Sequence, residues 1–138
     1  MQRLLIVMIS VLLCNTLYAQ TDSNACAVYH KGFFSYTDSL GRTVLVDRQN
    51  RYQYEKNIVT KVKTQFRITW TGPCAYKIQQ TLTNSKAARK YKYSTSTVMI
   101  STPHGAEGYD YSCACPDEPS KAKGYMKKIT KKEYYRLF

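Results

Sequence analysis

Acidic residues are scarce in this chain: 9 aspartates and glutamates stand against 21 lysines and arginines in 138 residues. None of the 9 belongs to a recognisable catalytic motif, and the sequence has no Gly-x-Ser-x-Gly, phosphate-loop or His-Glu-x-x-His pattern. Hydrolytic chemistry needs an activated nucleophile or two carboxylates with separated pKa values. We therefore expect a protein with no enzymatic activity and no cofactor.

Histidine is scarcer still, since His30 and His104 are the 2 in the chain. His30 stands just before a predicted strand, where a structural or surface role is the more common one. His104 lies in the loop-like stretch TPHGAEG, and loops carry functional residues more often than cores do. Neither histidine has the spacing of a metal-ligand pair, so we expect no metal site.

Long apolar runs are missing beyond the first stretch, MQRLLIVMISVLLCNTLYAQ. Arg3 precedes a short apolar region at 4–13, and a small residue follows at the cleavage position. This pattern is typical of a secretory signal peptide and is too short to span a bilayer. We predict a signal peptide at 1–19 and one domain at 20–138, which is exported to the periplasm or the extracellular space and is not membrane-spanning after cleavage.

Cysteine is well represented in the predicted mature chain. Cleavage removes one cysteine and leaves four, which are Cys26, Cys74, Cys113 and Cys115. An even number in an exported chain predicts two disulfides, with three possible pairings. Zinc sites commonly use two closely spaced pairs, and the cysteines here do not have that spacing. Alternate residues of an extended strand lie about 6.6 Å apart, at the limit of disulfide reach, so a Cys113–Cys115 bond needs a turn or bulge.

The stretch KVKTQFRITW, residues 61–70, alternates strictly between two kinds of side chain. One face carries Val62, Thr64, Phe66, Ile68 and Trp70, and the other face is polar or basic. Successive side chains of a strand point to opposite faces, so this pattern predicts a half-buried β-strand.

A second alternating run, CAYKIQQTL at 74–82, follows the turn residues TGP. Two alternating runs joined by a short loop with glycine predict a hairpin. Symmetric closure of that loop places Ile68 opposite Tyr76, and it places Arg67 opposite Lys77 as a like-charged pair.

Aromatic and β-branched residues dominate six further runs and favour strands there. These runs are 33–37, 42–47, 51–56, 90–101, 108–114 and 124–130. Residues 131–138, KKEYYRLF, are the only plausible helix, although a last strand or a frayed tail fits them equally well. The pattern predicts an all-β fold, a single antiparallel meander of about eight short strands curled into a small barrel, a half-barrel or a two-layer sheet.

Three stretches resemble a group of small exported bacterial proteins that are rich in β-structure. They are CAVYHKGFFSY (26–36), WTGPCAYKI (70–78) and GYMKKI (124–129). The group has no assigned activity, so the resemblance implies an exported β-domain and no particular function. It also implies a shared Cys26–Cys74 pair, with Cys113 and Cys115 as an addition in this sequence.

Basic residues accumulate on the polar faces of three consecutive predicted strands. They are Lys61, Lys63, Arg67, Lys77, Lys90 and Lys92. Such a face attracts anions, although lysines also protect sheets from aggregation. We take it as the candidate contact surface for an anionic envelope component such as lipopolysaccharide or another polysaccharide. The sequence contains no RNA-binding signature or DNA-binding helix, so we expect no specific nucleic-acid recognition.

These features predict an exported, non-catalytic binding or interaction domain, with two alternatives. The predicted mature chain contains 12 tyrosines, many at alternate positions such as Tyr109 and Tyr111. They pack a core or line a barrel that carries a small ligand, and packing is the more common use. In the second alternative the protein inhibits a secreted enzyme, a protein partner, by presenting a loop such as 103–108.

Overall fold

The computed structural model describes residues 25–114 and 122–138, so the predicted signal peptide lies outside the described residues. Eight antiparallel strands in this part of the chain close into a barrel. They are β1 (Gly32–Thr37), β2 (Thr43–Arg48), β3 (Tyr52–Asn57), β4 (Lys63–Gly72), β5 (Ala75–Thr83), β6 (Thr95–Pro103), β7 (Gly108–Ala114) and β8 (Ala122–Ile129). The predicted all-β antiparallel meander is confirmed, and of the three predicted shapes the sheet takes the closed barrel.

The first and last strands complete the barrel. Phe33 of β1 lies opposite Ile129 of β8, and Ser35 lies opposite Lys127. Every described strand therefore has a hydrogen-bonded neighbour on both sides, and the described sheet presents no free edge.

Seven of the eight predicted strands begin and end within two residues of the observed ones. The exception is the run predicted at 90–101, because a 3-10 helix at Ala87–Tyr91 takes its place and β6 starts at Thr95. Tyr93 has a φ of 69°, which interrupts an extended chain. Lys90 and Lys92 therefore precede the strand, and their predicted place on a strand face was wrong.

The register predicted for the β4–β5 hairpin was also wrong. Arg67 lies opposite Gln79, and Lys77 lies opposite Thr69, so the predicted like-charged pair does not form. The reason is that β4 continues through Gly72, which moves the turn toward β5.

Two irregularities in this hairpin decide which side chains enter the barrel. Trp70, and not Ile68, lies opposite Tyr76, because the register shifts after Trp70. A second shift precedes Phe66 and reverses the alternation at the end of β5. Leu82 therefore points outward and is 62% exposed, although alternation alone places it on the inner face.

One end of the barrel is plugged, and we call it the closed end. A first 3-10 helix, Ala27–Tyr29, packs its buried Tyr29 against the core there. The disulfide Cys26–Cys74 ties the start of this helix to the β4–β5 turn, with the Cα atoms 5.3 Å apart. The pair implied by the resemblance is thus confirmed. The Tyr29 hydroxyl also donates to the backbone oxygen of Gly105 at 2.9 Å.

The opposite end of the barrel is the open end. The loops at 38–42, 58–62 and 84–94 surround it. β7 ends and β8 begins at this end too, and residues 115–121 between them lie outside the described part of the chain.

The helix predicted at 131–138 is present as α1 (Lys131–Leu137). The Thr130 hydroxyl accepts from the backbone N–H of Glu133, and the Glu133 carboxylate accepts from the backbone N–H of Thr130. This reciprocal capping box starts the helix. The buried Tyr134 ring lies 4.8 Å from that of Phe33, which places α1 on the outer face of β1.

Candidate functional site

A guanidinium group is buried inside the barrel toward the closed end. Arg48, the last residue of β2, is 1% exposed. Its Nη1 donates to the backbone oxygen of Tyr29 at 2.9 Å, and its Nη2 donates to the Tyr76 hydroxyl at 2.9 Å. Its Nε donates to Oε1 of Gln53 at 2.8 Å. A buried charge without such partners costs several kcal/mol, on the order of 3–5, so these three acceptors allow the cation to stay inside.

Aromatic rings enclose the same guanidinium. Its central carbon lies 4.6 Å from the ring centre of Tyr76, 5.0 Å from that of Phe34 and 5.8 Å from that of Trp70. The faces of aromatic rings attract cations, most strongly where water is excluded. The closed half of the barrel interior is therefore filled by Arg48 and the rings around it.

Glu55 shares this interior with Arg48. Gln53 joins the two, because its Nε2 donates to Oε1 of Glu55 at 2.7 Å. The Tyr36 hydroxyl donates to Oε2 of Glu55 at 2.9 Å. Burial raises the pKa of Glu55, while the bonds from Gln53 and Tyr36 and the charge of Arg48 lower it in part. Burial, and then the nearby Glu55, raise the pKa of the Tyr36 hydroxyl well above its usual value, so it remains a donor.

A cavity of about 450 Å³ opens above these two residues at the open end, and we call it the mouth pocket. Glu55 and Tyr36 form its floor. Its other polar lining side chains are Asp38, Arg42, Asn57, Thr60, Thr64 and Ser85, and its apolar ones are Val44, Val62 and Ala87. Its volume lies within the range of small-molecule sites, roughly 300–1,000 Å³.

The loops on one side of the mouth pocket brace each other. Asp38 accepts from the backbone N–H groups of Leu40 and Arg42 and from Nε of Arg42, at 2.8–3.0 Å. Nδ2 of Asn57 donates to Asp38 at 3.1 Å, while Oδ1 of Asn57 caps the loop at 58–62. The backbone and side-chain bonds of Arg42 are the main cause of the lowered pKa of Asp38. This side of the pocket is therefore formed before any ligand arrives.

The six predicted basic residues do not form one flat face. Lys61 lies on the loop at 58–62, Lys90 lies in the 3-10 helix Ala87–Tyr91 and Lys92 directly follows it; all three are exposed at the open end. Lys63, Arg67 and Lys77 lie on the outer wall formed by β4 and β5. The structure adds Lys86 and Arg89 to the first group, on the segment that contributes Ser85 and Ala87 to the mouth pocket. We call these five exposed cations of the open end the basic rim, which comprises Lys61, Lys86, Arg89, Lys90 and Lys92.

The two histidines lie at the closed end. His30 stacks on Trp70 with ring centres 3.6 Å apart, and its Nε2 lies 2.9 Å from the backbone oxygen of Pro73. That is the structural role expected of it. Nε2 of His104 lies 2.7 Å from Oδ2 of Asp110 on the surface, a pair that the sequence analysis did not identify.

Of the two remaining cysteines, the structure describes only Cys113. Cys113 is buried on β7, opposite Val98 of β6 and Ala122 of β8. Cys115 lies outside the described residues, so the second predicted disulfide stays a prediction.

Sequence reasoning missed the polar residues inside the barrel, namely Arg48, Gln53 and Glu55. In RYQYEK the tyrosines suggest the core face, yet Gln53 is 2% exposed while Tyr54 is 37% exposed. Elsewhere the expectation of packed tyrosines holds, since Tyr109 is fully buried. Within 51–56 the available signal was the alternation itself, which allows either face to be the inner one.

Within residues 25–114 and 122–138, no cluster of three or more histidine, cysteine or acidic side chains is arranged to hold a metal ion. In the same ranges no helix is long and apolar enough to cross a membrane. Comparisons with protein-family models, with curated proteins and with solved structures give no match for this chain.

Proposed function

We propose that this protein is an exported, non-catalytic binding domain that holds one sugar unit of an anionic glycan in its mouth pocket. The observation that supports this best is a polar cavity of about 450 Å³ with a braced wall, at the end of the barrel opposite the plug. The Cys26–Cys74 disulfide is a bond of oxidising compartments, which supports a location in the periplasm or outside the cell.

The lining of the mouth pocket suits a sugar. Sugar hydroxyls both donate and accept hydrogen bonds, and their C–H faces pack on aliphatic side chains. The Glu55 carboxylate accepts two bonds from the protein and keeps further lone pairs for ligand hydroxyls. Asn57 and Thr64 add an amide and a hydroxyl, while Val62 and Ala87 supply the apolar surface.

The basic rim accounts for the anionic part of the ligand. Lys61 belongs to the loop at 58–62, Lys90 lies in the 3-10 helix whose Ala87 lines the pocket, and Lys92 directly follows that helix. Phosphate or carboxylate groups on neighbouring sugars meet these charges outside the pocket. Exposed charges are screened within about 8 Å at physiological salt, so this part of the affinity falls as salt rises.

Two carboxylates with oppositely shifted pKa values, those of Glu55 and Asp38, line the same pocket. Glycosidases use such a pair as acid and base. Here the Asp38 oxygens accept bonds from Leu40, Arg42 and Asn57 and hold the rim together. A carboxylate with this bracing role is a poor base, which favours binding without catalysis.

The test is isothermal titration of the disulfide-bonded protein with a phosphorylated core oligosaccharide of lipopolysaccharide and with its dephosphorylated form. Ala87→Phe fills the mouth pocket. Ala27→Phe is its matched control, because Ala27 is also an exposed alanine of a 3-10 helix, at the closed end. We expect Ala87→Phe to weaken both ligands at least tenfold and Ala27→Phe to weaken neither.

A charge experiment separates the rim from the pocket. The triple variant Lys61→Gln, Lys90→Gln, Lys92→Gln is compared with Lys31→Gln, Lys127→Gln, Lys132→Gln, which removes the same charge away from the open end. We expect only the first to flatten the salt dependence for the phosphorylated ligand. Equal effects of the two triples, or oligosaccharide cleavage during the titration, contradict the proposal.

A second candidate, the inhibitor of a secreted enzyme, is supported by one observation. The exposed turn that joins β6 to β7 is fixed in place, because the Tyr29 hydroxyl donates to Gly105 and accepts from the backbone N–H of His104. A preformed loop loses little entropy on binding. This candidate predicts a one-to-one complex with a secreted hydrolase, seen by size-exclusion chromatography and weakened by Tyr29→Phe.

A further inference from the structure

A second cavity lies outside the barrel, between the end of α1 and the outer wall of β3, β4 and β5. It measures about 570 Å³, and we call it the outer groove. Its apolar lining includes Tyr54, Leu82, Tyr135 and Phe138, which are 37%, 62%, 59% and 47% exposed. Neighbouring apolar side chains exposed to this extent often mark a site of interaction.

Two lysines face each other across the strands that form the wall of this groove. Lys56 of β3 lies directly opposite Lys63 of β4, and both line the groove. Like charges in this position are destabilising. Burial, followed by the charges of Lys63 and Lys61, lowers the pKa of Lys56.

Neither lysine belongs to an ion pair described within residues 25–114 and 122–138. The ion pairs described there are Arg42–Asp38 and His104–Asp110. The carboxylates that line the outer groove are those of Asp47, beside Tyr134, and Glu55. Two lysines that face each other beside apolar walls fit a ligand that brings a negative charge.

Phe138 shows the chemistry that this end of the groove accepts. Nζ of Lys56 donates to the backbone oxygen of Phe138 and lies 3.6 Å from the centre of its ring. Nζ of Lys63 lies 5.1 Å from the same ring. An oxygen acceptor attached to an apolar body therefore already rests on the lysine pair, and the cavity remains open beside it. An ammonium group has three donors, which leaves further donors for a ligand.

We propose that the outer groove binds a single-chain carboxylate amphiphile, such as a free fatty acid. Its carboxylate contacts Lys56 and Lys63, and its hydrocarbon chain lies along Tyr54, Leu82 and Tyr135. Glu55 and Thr64 line both cavities. The contacts proposed for the amphiphile use neither of them, so the proposal does not rest on the glycan function.

The experiment is methyl NMR on the disulfide-bonded protein with labelled leucine and valine, titrated with dodecanoate below its micellar concentration. The Leu82 methyls report on the outer groove, and those of Val44 and Val62 report on the mouth pocket. We expect dodecanoate to shift Leu82 and to leave both valines unchanged. We expect dodecanol, which has the same chain without the charge, to bind at least tenfold more weakly.

The variant pair Lys56→Gln, Lys63→Gln tests the head-group contacts. Its matched control is Lys123→Gln, Lys127→Gln, two lysines of β8 on the far side of the barrel. We expect at least a tenfold higher Kd for dodecanoate in the first pair and no change in the second. Leu82→Ser removes an exposed side chain, so it keeps the fold and gives a second measure through a weaker Kd.

Three outcomes overturn the proposal. The first is a shift of Val44 or Val62 in place of Leu82. The second is equal binding of dodecanol and dodecanoate. The third is association only with vesicles of anionic phospholipid and not with monomeric dodecanoate, which assigns the groove to a membrane surface.

Discussion

The buried cation Arg48 and the partly buried carboxylate of Glu55 are joined through the side-chain amide of Gln53. The amide oxygen accepts from Nε of Arg48 at 2.8 Å, and the amide nitrogen donates to Glu55 at 2.7 Å. The two charged groups therefore stabilise each other through the Gln53 amide, without direct contact. The closed end and the floor of the mouth pocket are parts of one hydrogen-bond network.

Removing the bridge is expected to destabilise the protein strongly. Gln53→Leu leaves Arg48 without one acceptor and Glu55 without one donor, and each loss costs about 1–3 kcal/mol. We expect a loss of roughly 3 kcal/mol in the free energy of unfolding, measured by urea denaturation. Gln49→Leu, at an exposed position between β2 and β3, is the control and is expected to change stability by less than about 0.5 kcal/mol. Equal effects of the two variants contradict the bridging role.

The dependence of stability on pH is expected to have opposite signs at Glu55 and Asp38. The pKa of Glu55 is raised in the folded state, so its contribution is fully present below the ordinary value of 4.5 and is lost as pH rises through the raised value. The pKa of Asp38 is lowered, so its contribution is present above the ordinary value of 3.8 and is lost as pH falls through the lowered value.

Two isosteric variants measure these contributions. Glu55→Gln is expected to become more stable relative to the unsubstituted protein as pH rises above 4.5. Asp38→Asn is expected to be less stable than the unsubstituted protein at neutral pH, and this difference in the free energy of unfolding is expected to shrink as pH falls below 3.8. Chemical denaturation at a series of pH values checks both. A Glu55→Gln curve parallel to that of the unsubstituted protein contradicts the raised pKa.

The Cys26–Cys74 disulfide is expected to contribute about 4 kcal/mol, because closing a loop of this length in the unfolded chain removes that much conformational entropy. The double variant Cys26→Ala, Cys74→Ala is the appropriate comparison, since reductant acts on every disulfide at once. Urea denaturation of both proteins without reductant measures the difference. A loss below about 1 kcal/mol places the bond outside the stabilising range of such cross-links.

Gly108 is expected to tolerate no side chain. Its φ is 141°, and a Cβ there collides with the backbone oxygen of Met126 on the neighbouring strand. Gly108→Ala is expected to cost about 3 kcal/mol or more, from overpacking and backbone strain together. Gly41→Ala separates the two causes, because Gly41 has a φ of 75° but nothing within 4 Å of the added carbon. We expect Gly41→Ala to lower the free energy of unfolding by about 1 kcal/mol, measured by thermal or urea unfolding.

The fold was largely predictable from local alternation, and β4 shows why. Ile68 is 4% exposed between the exposed Arg67 and Thr69, as strict period-two patterning requires. The register between strands was not predictable, because the turn begins only after Gly72 and a bulge directs the Leu82 side chain outward. These depend on contacts between strands, which a one-dimensional pattern does not contain.

The candidate site was predictable only in part. The lysines and arginines were visible in the sequence, but their gathering around an opening depends on the 3-10 helix at Ala87–Tyr91. Gln53 and Glu55 carry no motif, and the hydrogen bonds that allow them to be buried come from β1 and β2. The polar interior of the barrel is a property of the assembled strands.

The pairing of β1 with β8 has a consequence for how the protein is made. The residues of these two strands are separated by nearly the whole described chain, so theirs is the most non-local strand pairing of the described barrel. The barrel cannot close until the segment at 122–129 has been synthesised and released. Folds dominated by such distant pairings form slowly. Because β8 is the last strand, the sheet also remains incomplete until synthesis is nearly finished. The export proposed above agrees with this order, because a chain whose sheet is still incomplete can pass through a translocation channel.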